Sequence, residues 1–206
     1  MKLFFTETSP FVRKVRVAAA ELGLADRLQL EFLRPSPLTA DPGLSKLNPL
    51  SKIPALVLPD GSALYDSAVI CDYLDSLTDA RPMCPRSGPE RFANLRIQAL
   101  ADGTLEACVL VFYETMHRPK ELHYQAWLDG QTQKANQGLD ELERMAKSFG
   151  TEPDLGQICA AVTMGWLDFR KPIGDVRANR PALSAWFDQF NQRPSMQSTA
   201  PVVRPV

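Results

Sequence analysis

The strongest constraint on the fold of this 206-residue chain is a change of hydrophobic rhythm across a proline-rich stretch, Ser76 to Pro89. Ahead of it, short apolar runs alternate with one helical pattern. Leu3-Phe4-Phe5 reads as a buried strand, and Phe11 to Leu22 spaces its apolar residues as a helix does, with Gly23 suited to the C-cap. Leu28, Leu30 and Phe32 alternate with Gln29 and Glu31, the pattern of a half-buried second strand. The segment from Arg34 to Ser51 is dense in Pro, Ser and Asp and holds at most a short helix around Leu44 to Leu47 before the turn-forming Asn48-Pro49. Two apolar runs, Ala55 to Leu58 and Ala63 to Tyr65, flank Pro59-Asp60-Gly61-Ser62, a hairpin signal. A helix over Ala68 to Ser76 closes the series.

The order is β-α-β followed by β-β-α, which is a thioredoxin-like α/β layout. Pro82, Pro85 and Pro89 mark a linker, and beyond it strand signals fade. Arg91 to His117 carries Phe92, Leu95, Ala99, Leu105, Cys108, Val109 and Phe112 at mostly three- and four-residue spacing, a long helix. Leu122 to Phe149 repeats the pattern, and the connection near Pro119 predicts an antiparallel pair. Asp154-Leu155-Gly156-Gln157 has the form of a capping box opening a helix to Phe169. A last helix starts near Pro181, buries Leu183, Trp186, Phe187 and Phe190, and stops at Arg193-Pro194. The expected organisation is an α/β domain over residues 1–77, a linker over 78–89 and an all-α domain over 90–206.

Composition excludes several classes of function. The formal net charge is −1 and no Lys/Arg block is dense enough to mark a nucleic-acid surface. No signal-peptide core precedes the first strand and no run is long enough to span a bilayer, so a cytoplasmic protein without membrane attachment is expected. Cys71, Cys84, Cys108 and Cys159 form no C-x-x-C pair, which argues against zinc or a dithiol redox site. Three read as small buried hydrophobes, and Cys84, in the proline-rich stretch, is the one where exposure is expected. Arg13, Lys14 and Arg16 read as a solvated helix face. His117 and His123 have no evident partner, and no metal is expected.

The residues that point to chemistry sit at two helix mouths. Ser9-Pro10 is a strong helix start: the serine oxygen can accept an orphan backbone N–H, and proline presets φ at the first helical position. An anion or an ionisable thiol held there gains from unpaired N–H groups and the helix dipole. Asp66-Ser67 repeats the arrangement ahead of Ala68-Val69-Ile70.

Taken together, Ser9-Pro10-Phe11, Ile53-Pro54-Ala55-Leu56 and Asp66-Ser67, followed by the Asp154 cap, Asp168-Phe169-Arg170 and Arg193-Pro194-Ser195-Met196, resemble the glutathione S-transferase superfamily, in a bacterial, serine-type form. The resemblance covers nearly the whole chain. It implies a cis Ile53–Pro54 bond, with the Ile53 backbone pairing the cysteinyl unit of glutathione. It implies that Asp66 and Ser67 hold the γ-glutamyl end, Lys52 the glycyl carboxylate, and Phe11 a contact beside the thiol. Ser9 matches the position of the catalytic serine or cysteine of related classes, with Thr8 as the competitor for the sulfur. Asp102-Gly103 interrupts the apolar pattern of the first long helix, near where related enzymes can reach the glutathione of a second subunit, which implies a homodimer.

The second substrate is expected against that helix, with Phe112, Tyr113 and Trp166 as candidates and ordinary core packing as the alternative for each. The reading implied is a glutathione transferase with a detoxifying role. Isomerase, dehalogenase or peroxidase chemistry on the same thiolate stays open, as does a non-catalytic interaction protein on the same fold. Taken singly, Ser9-Pro10 and Asp66-Ser67 could be helix caps only, Pro54 the end of a loop and Lys52 a solvated side chain.

Overall fold

The four short strands form one mixed sheet in the order β2-β1-β3-β4 in the computed structural model, which describes residues 1–79 and 81–203. In chain order the elements are β1 (Lys2–Phe5), α1 (Pro10–Glu21), β2 (Gln29–Phe32), the short α2 (Pro42–Ser45), β3 (Ala55–Val57), β4 (Ala63–Leu64) and α3 (Ser67–Ser76). Four longer helices follow: α4 (Gly88–His117), α5 (Gln125–Ala146), α6 (Leu155–Arg170) and α7 (Pro181–Phe190), with a last short turn of helix, α8 (Pro194–Ser198). The chain divides into two units, Met1–Cys84 and Pro85–Arg193, and the described residues from Pro194 onward group with the first. Ala80, within the linker expected over 78–89, and residues 204–206, at the end of the region expected to be helical, lie outside the described residues.

In the first unit β1 runs parallel to β2 and antiparallel to β3, which pairs antiparallel with β4. This is a thioredoxin-like sheet. β1 and β3 are enclosed at their centre: Leu3 and Leu56 on one face and Ala55 on the other have no exposed surface, and Val12, Val15, Ile70 and Leu74 of α1 and α3 are also buried. Gly23 ends α1 as expected. Its φ of +69° allows a Schellman closure, in which Gly23 N–H donates to Ala20 O at 3.1 Å and Leu24 N–H to Ala19 O at 2.7 Å. The hairpin also forms, with Gly61 at φ +87° and the Asp60 carboxylate accepting from Ser62 N–H at 2.9 Å. After α3, the buried Asp75 carboxylate accepts from Met83 N–H at 2.8 Å and Cys84 N–H at 3.4 Å.

Three expectations about this unit are corrected. First, β2 is an edge strand, paired on one side only, and its apolar residues lie largely open, Leu30 at 40% and Phe32 at 44% exposure. Alternation marked the strand, but at the edge that face is only partly covered, Phe32 meeting Phe5 edge-on with centroids 5.9 Å apart. Second, Arg13 and Lys14 are buried rather than solvated. For Arg13 the reason is α8: it returns to α1, where Arg13 Nη2 donates to Met196 O at 3.0 Å and Ser195 Oγ donates to the Glu21 carboxylate. Burial lowers the Arg13 pKa to about 10. Only Arg16 keeps partial exposure, with its guanidinium 5.8 Å from the Phe5 ring centre. Third, Arg193-Pro194 stops α7 but does not end helical structure, because Pro194 is itself the first residue of α8.

The second unit is a helical bundle. Asp102-Gly103 does not break α4, which runs through both residues without interruption. Phe92, placed by its spacing on the apolar face, is instead 69% exposed. The Asp154 carboxylate caps α6 by accepting from Gln157 N–H at 2.8 Å, while Gln157 Nε2 donates to Glu152 O and to the Asp154 carboxylate. The reciprocal half of a capping box is therefore replaced: glutamine donates with its amide nitrogen, and its buried Oε1 has no partner among the described residues.

The crossing of α4 and α5 depends on an absent side chain. A Cβ on Gly138 would overlap the Thr104 Oγ1, and Thr104 is held by donating to Leu100 O at 2.7 Å. Gly138→Ala would gain about 1 kcal/mol of helix propensity, yet overpacking of about 1–3 kcal/mol should outweigh it. Urea unfolding should show lowered stability for Gly138→Ala, with most of the loss returned by adding Thr104→Ala. Equal or greater stability of the single variant would contradict a tight crossing.

Candidate active site

Sheet register gathers the first group of candidate residues. Phe4 pairs with Ala55 across β1 and β3, so Pro54, the next residue out, falls at the end of β1 from which the chain turns into α1. Leu56 pairs with Leu64 across β3 and β4, which carries Tyr65 and Asp66 to that same end of the sheet. Ser9, Pro54 and Ser67 lie far apart in sequence and are brought to one edge by two antiparallel ladders.

At that edge Ser9 is the N-cap of α1, with Pro10 in the first turn, and its Oγ accepts from Val12 N–H at 3.3 Å. Accepting leaves the hydroxyl's own hydrogen without an acceptor among the described residues. Phe11 follows, partly exposed, on the first turn. The Ile53–Pro54 peptide is cis, as expected, and so is Tyr65–Asp66. Pro54 is buried, and the Ile53 backbone N–H and C=O have no partner among the described residues. Lys52 is exposed, with no ion-pair partner among the described residues.

Asp66 caps α3, accepting from Ala68 N–H at 3.0 Å. Ser67 is only 3% exposed, yet its hydroxyl makes no hydrogen bond among the described residues. The first-turn N–H groups of Ser67 and Val69 stand outside the helical ladder beside it. The edge thus presents two hydroxyls with free hydrogens, an unpaired peptide unit and a helix N-terminus, a set of donors suited to an anionic, peptide-like ligand.

One residue that holds this edge was not legible as such. Asn48, read only as part of a turn, is 2% exposed, and its side chain donates to Lys52 O at 2.9 Å while accepting from Leu50 N–H at 3.1 Å. Ser51, at φ +52°, accepts from Asp41 N–H at 2.8 Å. These two side chains fix the loop that delivers Ile53-Pro54. The one available signal was the density of Asn, Asp and Ser, which favour such local bonds.

The second group gathers within the helical unit. Phe112 of α4 meets Trp166 of α6 edge-on, with centroids 5.7 Å apart and planes at 79°, and Tyr113 lies 5.9 Å from Phe112. Trp166 is 4% exposed and Tyr113 38%. Trp166 therefore packs as core, while Tyr113 is available at the surface. His117 lies beside Tyr113 at 5.6 Å, and His123 Nε2 is 3.0 Å from Arg118 O. Among the described residues no three His, Cys, Asp or Glu side chains cluster in a way that could hold a metal.

The chain is similar over its whole length to proteins of one kind. Residues 8–77 match the family description "Glutathione S-transferase, N-terminal domain" and residues 125–189 "Glutathione S-transferase, C-terminal domain". The GST-like protein YibF of Escherichia coli K12 is 34% identical over 98% of each chain. A solved glutathione transferase family member from Pseudomonas fluorescens Pf-5 with bound glutathione is 43% identical, with a TM-score of 0.93 over 98% of this chain and 99% of that one. A second structure from that organism, with bound S-(propanoic acid)-glutathione, is 42% identical, with a TM-score of 0.90 over 98% and 100%. This chain belongs to the glutathione S-transferase superfamily, and the thioredoxin-like sheet followed by a helical unit is its fold.

The cysteines take no part in the site. All four are free and buried, Cys84 included at 1% exposure against the expectation that it would be open. Cys84 is enclosed because its backbone N–H is drawn in by the Asp75 carboxylate. Burial pushes the Cys108 thiol up to about 12 from an ordinary 9.0. A raised value keeps the proton on the folded form, so this group's contribution to stability is whole below pH 9.0 and is lost as pH rises towards about 12. Ellman's reagent at pH 8 should find no fast-reacting thiol in the native protein and four after denaturation. A fast native thiol would contradict this burial.

Proposed function

We propose that this protein is a serine-type glutathione transferase: the first unit binds reduced glutathione, Ser9 stabilises its thiolate, and the sulfur attacks an electrophilic carbon of a largely apolar small molecule. The observation that carries the reading is the Ser9 hydroxyl. Its lone pair is used by Val12 N–H while its hydrogen is left to donate, at the positive end of α1. Donation to sulfur favours thiolate over thiol, so the thiol loses its proton to solvent nearer neutral pH. In the reaction with an aryl halide the C–S bond forms, the carbon–halogen bond breaks, and the halide leaves with the bonding electrons.

The rest of the edge supplies binding. The free Ile53 N–H and C=O pair the cysteinyl unit, much as a neighbouring strand would. The Ser67 hydroxyl and the first-turn N–H groups of α3 take the γ-glutamyl carboxylate, and Asp66 takes the ammonium. Lys52 reaches the glycyl carboxylate, and Phe11 contributes a contact beside the sulfur. Phe112 and Tyr113 offer apolar surface for the electrophile, while Trp166, expected to join them, is buried against Phe112. Bound glutathione in the Pseudomonas fluorescens structure supports glutathione as the ligand of this reading. We further propose a cytoplasmic homodimer that detoxifies electrophiles. Four free cysteines suit a reducing compartment, and exposed Tyr65, Val69 and Phe92 supply apolar surface for a second copy.

Conjugation of glutathione with 1-chloro-2,4-dinitrobenzene tests the assignment. Ser9→Ala should lower kcat by about 10²-fold, on the scale of losing one donor aimed at developing charge. Ser67→Ala should raise KM for glutathione by about tenfold with kcat nearly kept, as for lost uniform binding. Wild-type constants in both variants would remove the site.

A further inference from the structure

Several arginines of the helical unit pair with carboxylates, among them Arg118 with Glu114, Arg144 with Glu141, Arg177 with Asp168 and Asp188, and Arg180 with Asp140. Arg170 has no such partner. Among the described residues its guanidinium finds no carboxylate, carbonyl or hydroxyl acceptor, and its Nε is buried with nothing to bond. It lies instead on aromatic faces, 5.0 Å from the Phe112 ring centre and 4.5 Å from that of Phe169. Cation–π attraction holds the group in place but satisfies none of its five donors. A partly desolvated donor array without an acceptor is unfavourable unless something supplies one.

The placement is specific. Trp166 and Arg170 are four residues apart on α6 and share a face, and Phe112 from α4 touches both. Tyr113 is within electrostatic reach of Arg170: burial raises the phenol, and the guanidinium charge opposes the rise. Its hydroxyl also makes no hydrogen bond among the described residues. Apolar ring faces and two unsatisfied polar groups therefore meet at one spot.

We propose that Arg170 is a specificity-determining residue, receiving a carboxylate on an aromatic or otherwise unsaturated electrophile whose apolar body rests on Phe112 and Tyr113. A carboxylate offers two oxygens to two guanidinium N–H groups and adds a full negative charge, which a carboxamide lacks. The proposal rests on the transferase reading and narrows it from apolar electrophiles to apolar electrophiles bearing an acid.

The test compares 4-chloro-3,5-dinitrobenzoate with 4-chloro-3,5-dinitrobenzamide, which share a leaving group and differ in charge. Wild type should prefer the acid in kcat/KM. The ratio of acid to amide should fall about tenfold in R170M, on the scale of one charge-assisted bond, with the fall in KM rather than kcat, and R170K should recover part of it. R170Q serves as a second neutral variant if R170M does not fold. Quenching of tryptophan fluorescence by 3,5-dinitrobenzoate against 3,5-dinitrobenzamide repeats the comparison without turnover. No preference in wild type, or the same ratio in the neutral variants, overturns the role of Arg170. Retained fluorescence preference with no turnover of either electrophile supports the anion site and overturns the transferase reading instead.

Discussion

Two antiparallel ladders, β1 with β3 and β3 with β4, determine where everything functional in the first unit can be. Strand pairing fixes which residues end at which edge, and a slip of one residue would turn every side chain to the opposite face. Because Leu3 and Leu56 are wholly enclosed, such a slip would expose the core, so burial itself fixes the register. The mouth of α1, the Ile53–Pro54 turn and the mouth of α3 are then held together without any bond among them. Asn48 and Ser51 complete the constraint by pinning the loop between β2 and β3.

Much of this was legible in the sequence, because the signals were local. Ser9-Pro10, Gly23, Asp60-Gly61 and Asp154 each act within a few residues of chain, through a cap, a positive φ or a turn, and each does in the structure what its chemistry predicts. The resemblance drawn from Ser9-Pro10-Phe11, Ile53-Pro54-Ala55-Leu56, Asp66-Ser67 and the motifs of the helical part led to the right superfamily and fold. The failures were of another kind. Arg13 looks like part of a solvated face until α8 arrives from the far end of the chain and takes its guanidinium. Leu30 and Phe32 alternate as a buried strand should, but burial depends on what covers an edge and not on the strand's own pattern. Asn48 carried no mark to separate a side chain that braces the site from one that merely turns the chain.

The candidate site also shows how one group can serve folding and chemistry together. A hydroxyl has both lone pairs and a hydrogen, so the Ser9 oxygen can cap α1 while its hydrogen is directed elsewhere. Alanine here would remove both roles, and only their separate readouts, stability and rate, tell them apart. Arg170 is the opposite case. Its aromatic contacts are a packing arrangement, yet they leave the buried Nε of the guanidinium without an acceptor among the described residues. In the helical unit the carboxylate-paired arginines serve the fold, and the contrast with Arg177, gripped by two aspartates, sets Arg170 apart.

The central claim is that this sheet edge binds glutathione and ionises it. Calorimetric titration of reduced glutathione at neutral pH, in phosphate and in Tris, measures both at once, because the two buffers differ in ionisation enthalpy. The account predicts saturable binding whose heat differs between buffers by the amount set by proton release. Binding heat identical in both buffers would contradict thiol activation, and no binding heat would contradict the site itself.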